Sequence, residues 1–97
     1  MQFAKRIEWS DEKNTKLIAE RGIGFEEVYT AIQNGYLLGI VRGKEPKYTH
    51  QRIFVVLISG YTYAVPFVEE ENKIFLKTLY PSRELHKKYG NGDSYAQ

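Results

Sequence analysis

The strongest constraint on the fold of this chain is a hairpin pattern at its centre. Residues 53–58 form an unbroken apolar run rich in β-branched side chains, which predicts a strand buried on both faces. Ser59-Gly60 follows as a two-residue turn, and residues 61–68 are the expected partner strand. Pro66 conflicts with a central strand because it has no N–H to donate, so we expect a bulge or one-sided pairing there.

Three further strands are predicted from the period-two alternation of apolar and polar residues: 2–9, 36–41 and 73–79. Lys5 lies on the apolar side of the first of these, which is typical of an edge strand. A polar loop at 43–51 and a turn at 69–72 separate the other two from the central hairpin.

Two helices are predicted between the first two strands. Ser10 is a good N-cap for a helix over 11–21, with Leu17 and Ile18 as its apolar contact and Gly22 as its C-cap. The spacing of the apolar residues predicts the second helix and one buried stripe, which consists of Phe25, Val28, Tyr29 and Ile32. Asn34-Gly35 is expected to end this helix.

The last strand leads into a junction at Tyr80-Pro81-Ser82-Arg83. Pro81 is expected to end the strand, and Ser82 can cap a short basic helix that closes on Tyr89. Arg83 would then be held at a rigid strand-to-helix junction.

The order β-α-α-β-β-β-β-α predicts an α+β fold with a meandering antiparallel sheet and helices packed on one face. At 97 residues the chain is expected to form one domain over residues 1–89, with 90–97 as a flexible tail.

Composition narrows the chemistry. The chain has no cysteine, which excludes disulfides and thiolate catalysis. His50 and His86 lie in different segments without a carboxylate pattern, so we expect neither a metal site nor a cofactor. No signal peptide is visible, and the longest apolar run is far shorter than the ~20 residues of a membrane span, so we expect a cytoplasmic protein.

The net charge is only +2, but the charges are clustered. Glu69-Glu70-Glu71 is acidic, and two stretches are basic: Lys77, Arg83, His86, Lys87 and Lys88, and also Arg42, Lys44, Lys47, His50 and Arg52. If the fold joins the two basic stretches, the domain has a positive face; otherwise they are ordinary solvated surfaces.

With cysteine chemistry and metal sites set aside, the residue types that remain as candidates for a functional site are arginine, lysine, histidine and tyrosine. These residue types suffice for metal-independent RNA cleavage, in which the 2′-hydroxyl of the substrate is the nucleophile and the protein stabilises charge on the phosphate. His50 is a loop histidine of a type suited to proton transfer. Tyr61, Tyr63 and Tyr80 are of a type that stacks on unpaired bases, although tyrosines in a small sheet also serve packing.

Three segments together resemble the BrnT-type family of bacterial toxins: Trp9-Ser10-Asp11-Glu12-Lys13-Asn14, Arg21-Gly22-Ile23-Gly24-Phe25-Glu26-Glu27 and Tyr80-Pro81-Ser82-Arg83. The resemblance covers most of residues 3–89. It implies a RelE-like fold and a ribonuclease toxin that inhibits translation, with a small cognate antitoxin and RNA, including mRNA on the ribosome, as partners.

The resemblance also implies a site. The positions that match the basic residues of the family are Arg52 and Arg83, and Tyr89 matches an aromatic residue near the end of the same helix. With His50 these form the predicted catalytic set, and the predicted RNA-binding residues are Lys77, Tyr80, Lys87 and Lys88. Many members carry His-Gly where this chain has Arg21-Gly22, so an inactive RNA- or protein-binding module is the alternative.

Overall fold

The computed structural model describes residues 5–43 and 51–90, and their α+β architecture confirms the predicted fold class. The elements in chain order are β1 (Arg6–Trp9), α1 (Asp11–Arg21), α2 (Phe25–Gln33), β2 (Leu37–Arg42), β3 (Arg52–Ile58), β4 (Tyr61–Glu69), β5 (Lys73–Leu76), β6 (Tyr80–Pro81) and α3 (Arg83–Leu85), followed by a π-helical turn (His86–Gly90). The predicted strand residues 2–4, most of the predicted loop including His50, and residues 91–97 of the predicted tail lie outside the described residues.

The central hairpin is confirmed. Strands β3 and β4 pair antiparallel along their length, and Ser59 and Gly60 have φ values of 51° and 82°. Two successive positive φ angles are the signature of a type I′ turn, whose twist matches that of the strands. Phe54, Val55 and Val56 have no exposed surface, as expected of a strand covered on both faces.

Pro66 lies where strand β4 changes its neighbour. On one side β4 pairs with β5 from Phe67 onward and with β6 at Tyr63 and Ala64, so no strand lies opposite Pro66 on that side. Its carbonyl accepts a hydrogen bond from the backbone N–H of Lys77 at 2.8 Å, and its nitrogen points the same way. The missing N–H therefore costs no sheet hydrogen bond, and of the two alternatives left open by the sequence, a bulge or one-sided pairing, the structure shows one-sided pairing.

The sheet is mixed rather than purely antiparallel. Its strand order is β1-β5-β4-β3-β2, with β6 beside β4, and β1 pairs with β5 in parallel. The register places Ile7 opposite Ile74 and Trp9 opposite Leu76, so the apolar residues of the edge strand join the core. Residues 10–72, which form both helices and strands β2 to β4, connect the two parallel strands, and this connection is far longer than the dozen or so residues that a parallel pair requires.

Helices α1 and α2 cover one face of the sheet, called here the first face. They bury Leu17, Phe25, Val28, Ala31 and Ile32 against the sheet. Two residues predicted to be buried are not: Ile18 is 47% exposed and Tyr29 is 42% exposed. The buried stripe of α2 runs through Val28, Ala31 and Ile32, so Tyr29 faces away from it.

The C-terminal part departs from prediction in one respect. Strand β5 ends at Leu76 rather than at residue 79, and residues 77–79 leave the sheet before β6 returns to β4. Ser82 caps the following helix as predicted, with its hydroxyl accepting from the N–H of Leu85 at 3.2 Å. Helix α3 and the π-helical turn then cross the opposite, second face of the sheet, from β4 to β2.

Candidate functional site

A cleft of about 560 Å³ opens on the second face of the sheet. Its floor is the apolar row formed by Val41, Ile53 and Pro66, which lie in register across β2, β3 and β4. Because residues 77–79 leave the sheet beside Pro66, the chain forms a wall here instead of another strand.

Polar residues line the rim of this second-face cleft. Lys77 and Tyr80 come from the wall, and Ser82 and Glu84 come from the strand-to-helix junction. The Tyr80 side chain is 38% exposed, and the ammonium of Lys77 lies 5.5 Å from the ring centroid of Phe75. Two predicted RNA-binding residues, Lys77 and Tyr80, are therefore brought to one opening.

The helical end of the junction carries the remaining predicted cations. Arg83, Lys87 and Lys88 are all exposed, and no acidic side chain among residues 5–43 and 51–90 forms an ion pair with them. Since Ser82 and Leu85 line the cleft, these cations extend from its edge along the same short segment.

Arg52 has a different environment. It pairs with Glu69, which also accepts a hydrogen bond from Lys5 at 2.8 Å, and its guanidinium carbon lies 5.7 Å from the ring centroid of Phe67 in the first-face core. The Lys5 ammonium, followed by the Arg52 guanidinium, lowers the pKa of the Glu69 carboxyl from its ordinary value of 4.5. The acidic and basic stretches of the sequence thus neutralise each other at this point.

The Glu69 ion pairs predict a pH-dependent contribution to stability. A lowered pKa in the folded state means that the pairs stabilise the fold above the unfolded-state pKa and lose that effect as the pH falls through the folded-state pKa. Glu69→Gln should therefore be less stable than the native chain at about pH 7, and the difference should be smaller at about pH 3, which lies below the ordinary carboxyl pKa of 4.5. Urea unfolding at both pH values measures this, with the exposed Glu71→Gln as the matched control. A destabilisation of equal size at both pH values would contradict the assignment.

The three predicted catalytic residues that the structure describes, Arg52, Arg83 and Tyr89, do not form one cluster. Arg52 lies opposite Phe67, whereas Arg83 follows Ser82, whose N–H bonds to the carbonyl of Thr62. These two positions on β4 are five residues apart, which corresponds to about 17 Å along the strand. Arg52 also lies on the first face, whereas helix α3 packs on the second.

Tyr89 has a packing role. Its ring lies against Gly39 of β2, where an added Cβ would come within 3.0 Å of the ring. The absence of a side chain at Gly39 is what allows the aromatic ring to close over the sheet. His50 lies outside the described residues, so its predicted role stays a prediction.

His86, absent from the predicted catalytic set, occupies a well-defined position. Its Nδ1 lies 2.8 Å from the hydroxyl of Thr62, a residue with no exposed surface, and its ring stacks on Tyr61 with centroids 4.2 Å apart. Arg83 precedes it by three residues, the spacing of helical neighbours. The sequence could have indicated His86 through this spacing from Arg83. It could not indicate the contact with Thr62, because the two residues are 24 positions apart in the chain.

A second groove, of about 590 Å³, lies between α2 and the β3–β4 turn. Glu26 and Glu27 line it, and their carboxylates would repel a phosphate. Among the described lining residues, this groove has two carboxylates and no lysine or arginine, whereas the second-face cleft has one carboxylate, Glu84, together with Arg42 and Lys77.

Within residues 5–43 and 51–90, no group of three or more histidine, cysteine, aspartate or glutamate residues could hold a metal ion. In the same part of the chain, no helix has the length and apolar character to cross a membrane.

Comparison of the chain with protein-family models, with curated proteins and with solved structures gives no significant match. The BrnT-type resemblance therefore stays an expectation based on the three short segments that suggest it.

Proposed function

We propose that this chain is the toxin of a bacterial toxin–antitoxin pair, a cytoplasmic, metal-independent endoribonuclease that inhibits translation by cutting RNA through the substrate's own 2′-hydroxyl. The supporting observation is the strand-to-helix junction. It places the exposed cations Arg83, Lys87 and Lys88 beside a cleft whose rim holds Lys77 and Tyr80.

The cations suit the phosphate backbone. Arg83, Lys87 and Lys88 are exposed, and no ion pair joins them to an acid among residues 5–43 and 51–90 that RNA binding would have to break. Arginine presents a planar fork of donors that matches two phosphate oxygens at once. In this proposal Arg83 stabilises the charge that develops on the phosphate during cleavage.

The cleft suits an unpaired nucleotide. Its floor of Val41, Ile53 and Pro66 is apolar, and the exposed ring of Tyr80 offers a stacking surface at the rim. Sequence-tolerant stacking of bases on aromatic rings is common among proteins that bind single-stranded RNA. We therefore expect the substrate to be single-stranded at the point of cleavage.

The proposed partner that restrains this activity is a small cognate antitoxin. An acidic segment that folds on binding would neutralise the same cations that RNA needs. RNA and antitoxin should accordingly compete for the chain, and a complex that leaves RNA cleavage untouched would place the partner elsewhere.

The function is tested with the purified full chain and a labelled single-stranded RNA in the presence of EDTA. We expect fragments ending in a 2′,3′-cyclic phosphate and no cleavage of the same sequence with 2′-O-methyl sugars, because the methyl group blocks the nucleophile. Expression of the chain in bacteria should arrest growth. Intact RNA together with normal growth at confirmed expression would overturn the proposal.

A non-catalytic binding module is the second candidate, and two placements favour it. Arg52 forms an ion pair with Glu69, and the ring of Tyr89 packs against Gly39. Two of the four predicted catalytic residues therefore have structural roles. This candidate predicts RNA binding that weakens steeply with salt, because phosphate contacts release counterions, but no cleavage products.

A further inference from the structure

The imidazole of His86 is held on several sides. Its Nδ1 is 2.8 Å from the Thr62 hydroxyl, and its ring plane is inclined by only 25° to the ring of Tyr61. The backbone of Gly90 closes over this contact, since a Cβ at Gly90 would lie 1.9 Å from the Thr62 oxygen and 2.6 Å from Nδ1. Nδ1 is thus enclosed, and Nε2 has no hydrogen-bond partner among the described residues.

The surroundings of the ring suit a phosphate group. Arg83 lies three residues before His86 and Lys87 follows directly, and both side chains are exposed. The other charged or titratable residues on the packed elements are Glu84, Lys88 and Tyr89 of the same segment, Tyr61, Tyr63 and Glu69 of β4, and Arg42 of β2. A fixed imidazole nitrogen in a short segment that also carries two exposed cations can bind a phosphodiester and move a proton next to it.

We propose that His86 is the catalytic base of the RNA cleavage and that Thr62 is its positioning residue; this inference rests on the function proposed above. When Nδ1–H donates to the Thr62 oxygen, Nε2 carries the ring's lone pair and has no hydrogen-bond partner among the described residues. The Thr62 side chain is fully buried in β4, so its hydroxyl has a fixed position from which to accept this bond.

The step balances as follows. Nε2 takes the proton of the 2′-hydroxyl while the 2′-oxygen forms a bond to phosphorus. The bond from phosphorus to the 5′-oxygen breaks with its electron pair, and that oxygen takes a proton from water. The hydroxide formed from this water removes the proton from the imidazolium. The products are a 2′,3′-cyclic phosphate and a 5′-hydroxyl, and His86 returns to its starting state.

The first measurement is single-turnover cleavage of the labelled RNA. His86→Gln should be about 100-fold slower or more, the range found for loss of a positioned acid–base group. Thr62→Val should be slower by about tenfold, because Oγ1 no longer orients the ring, and Thr62→Ser should recover most of the rate because it keeps the hydroxyl. Thermal unfolding of each variant reports whether it is folded.

The second measurement is the ¹⁵N NMR spectrum of His86 in the RNA-free protein at neutral pH, which reports the tautomer that the contact with the Thr62 hydroxyl imposes on the ring. We expect the Nδ1–H tautomer in the native chain and in Thr62→Ser, and a mixture of tautomers in Thr62→Val. The Nε2–H tautomer in the native chain would overturn the base role.

The outcomes separate this inference from the proposed function. If the native chain cleaves RNA and His86→Gln cleaves at the same rate, the role of His86 is wrong and the function stands. If the native chain does not cleave RNA, the proposed function and the role of His86 both fail. A slow His86→Gln, a hydroxyl-dependent rate at position 62 and the Nδ1–H tautomer together support the assignment.

Discussion

Replacement of Arg83 by alanine should relieve growth arrest and slow RNA cleavage by about 100- to 1,000-fold, the usual cost of removing one donor from a transition-state charge. The side chain is exposed and has no ion-pair partner among the described acids. We therefore expect the substitution to remove the guanidinium group without a large change in the packing of the fold. Arg83 follows directly after the cap residue Ser82, which fixes the start of the helix. The rate of single-turnover cleavage and growth on induction are the measurements.

Arg21→Ala is the matched control for this prediction. Arg21 is an exposed arginine in the last turn of α1, and it lines neither the cleft nor the junction. The control should cut RNA and arrest growth as the native chain does. Equal activity of the Arg83 and Arg21 variants would show that the junction does not contact the scissile phosphate.

Phe54→Ala should lower the free energy of unfolding by about 3–5 kcal/mol, because it removes a large buried ring and leaves a cavity. Phe54 has no exposed surface, and its ring stacks on Phe67 with centroids 3.9 Å apart and planes inclined by 10°. Domains of this size have a total stability of about 5–15 kcal/mol, so this single change removes a large share of it.

Guanidinium chloride unfolding of the native chain and the variant measures this loss. Tyr36→Ala is the comparison, because Tyr36 is an aromatic residue that is 50% exposed. It should change the unfolding free energy by less than about 1 kcal/mol. A Phe54 variant that is no less stable than the Tyr36 variant would contradict the described core.

Features of the fold that depend on neighbours in the chain were determined by the sequence alone. Ser10 caps α1 through the N–H of Lys13, and Ser59-Gly60 forms the hairpin turn. Both depend on backbone groups within a few residues, and the repeat of apolar side chains states which face of each element is buried. The α+β class and the order of the central strands followed from these local signals.

Features that join distant segments were decided only by the tertiary structure. The parallel pairing of β1 with β5 and the end of β5 at Leu76 depend on contacts between segments that are not adjacent in the chain, so local periodicity does not specify them. Asn14 is a second residue whose role the sequence pattern does not indicate, since nothing in the pattern distinguishes it from other residues of α1. In the structure its buried amide oxygen accepts a hydrogen bond from the N–H of Phe25 at 2.7 Å and so caps α2.

The candidate site divides in the same way. The sequence indicated Arg83 and its junction, since Pro81 and Ser82 encode that geometry locally. Only the tertiary structure pairs Arg52 with Glu69, 17 residues away, and seats His86 on Thr62, 24 residues away. Periodicity specifies the face on which a side chain lies but not the partner that it meets there, because the partner is set by strand register and by the path of the chain across the sheet.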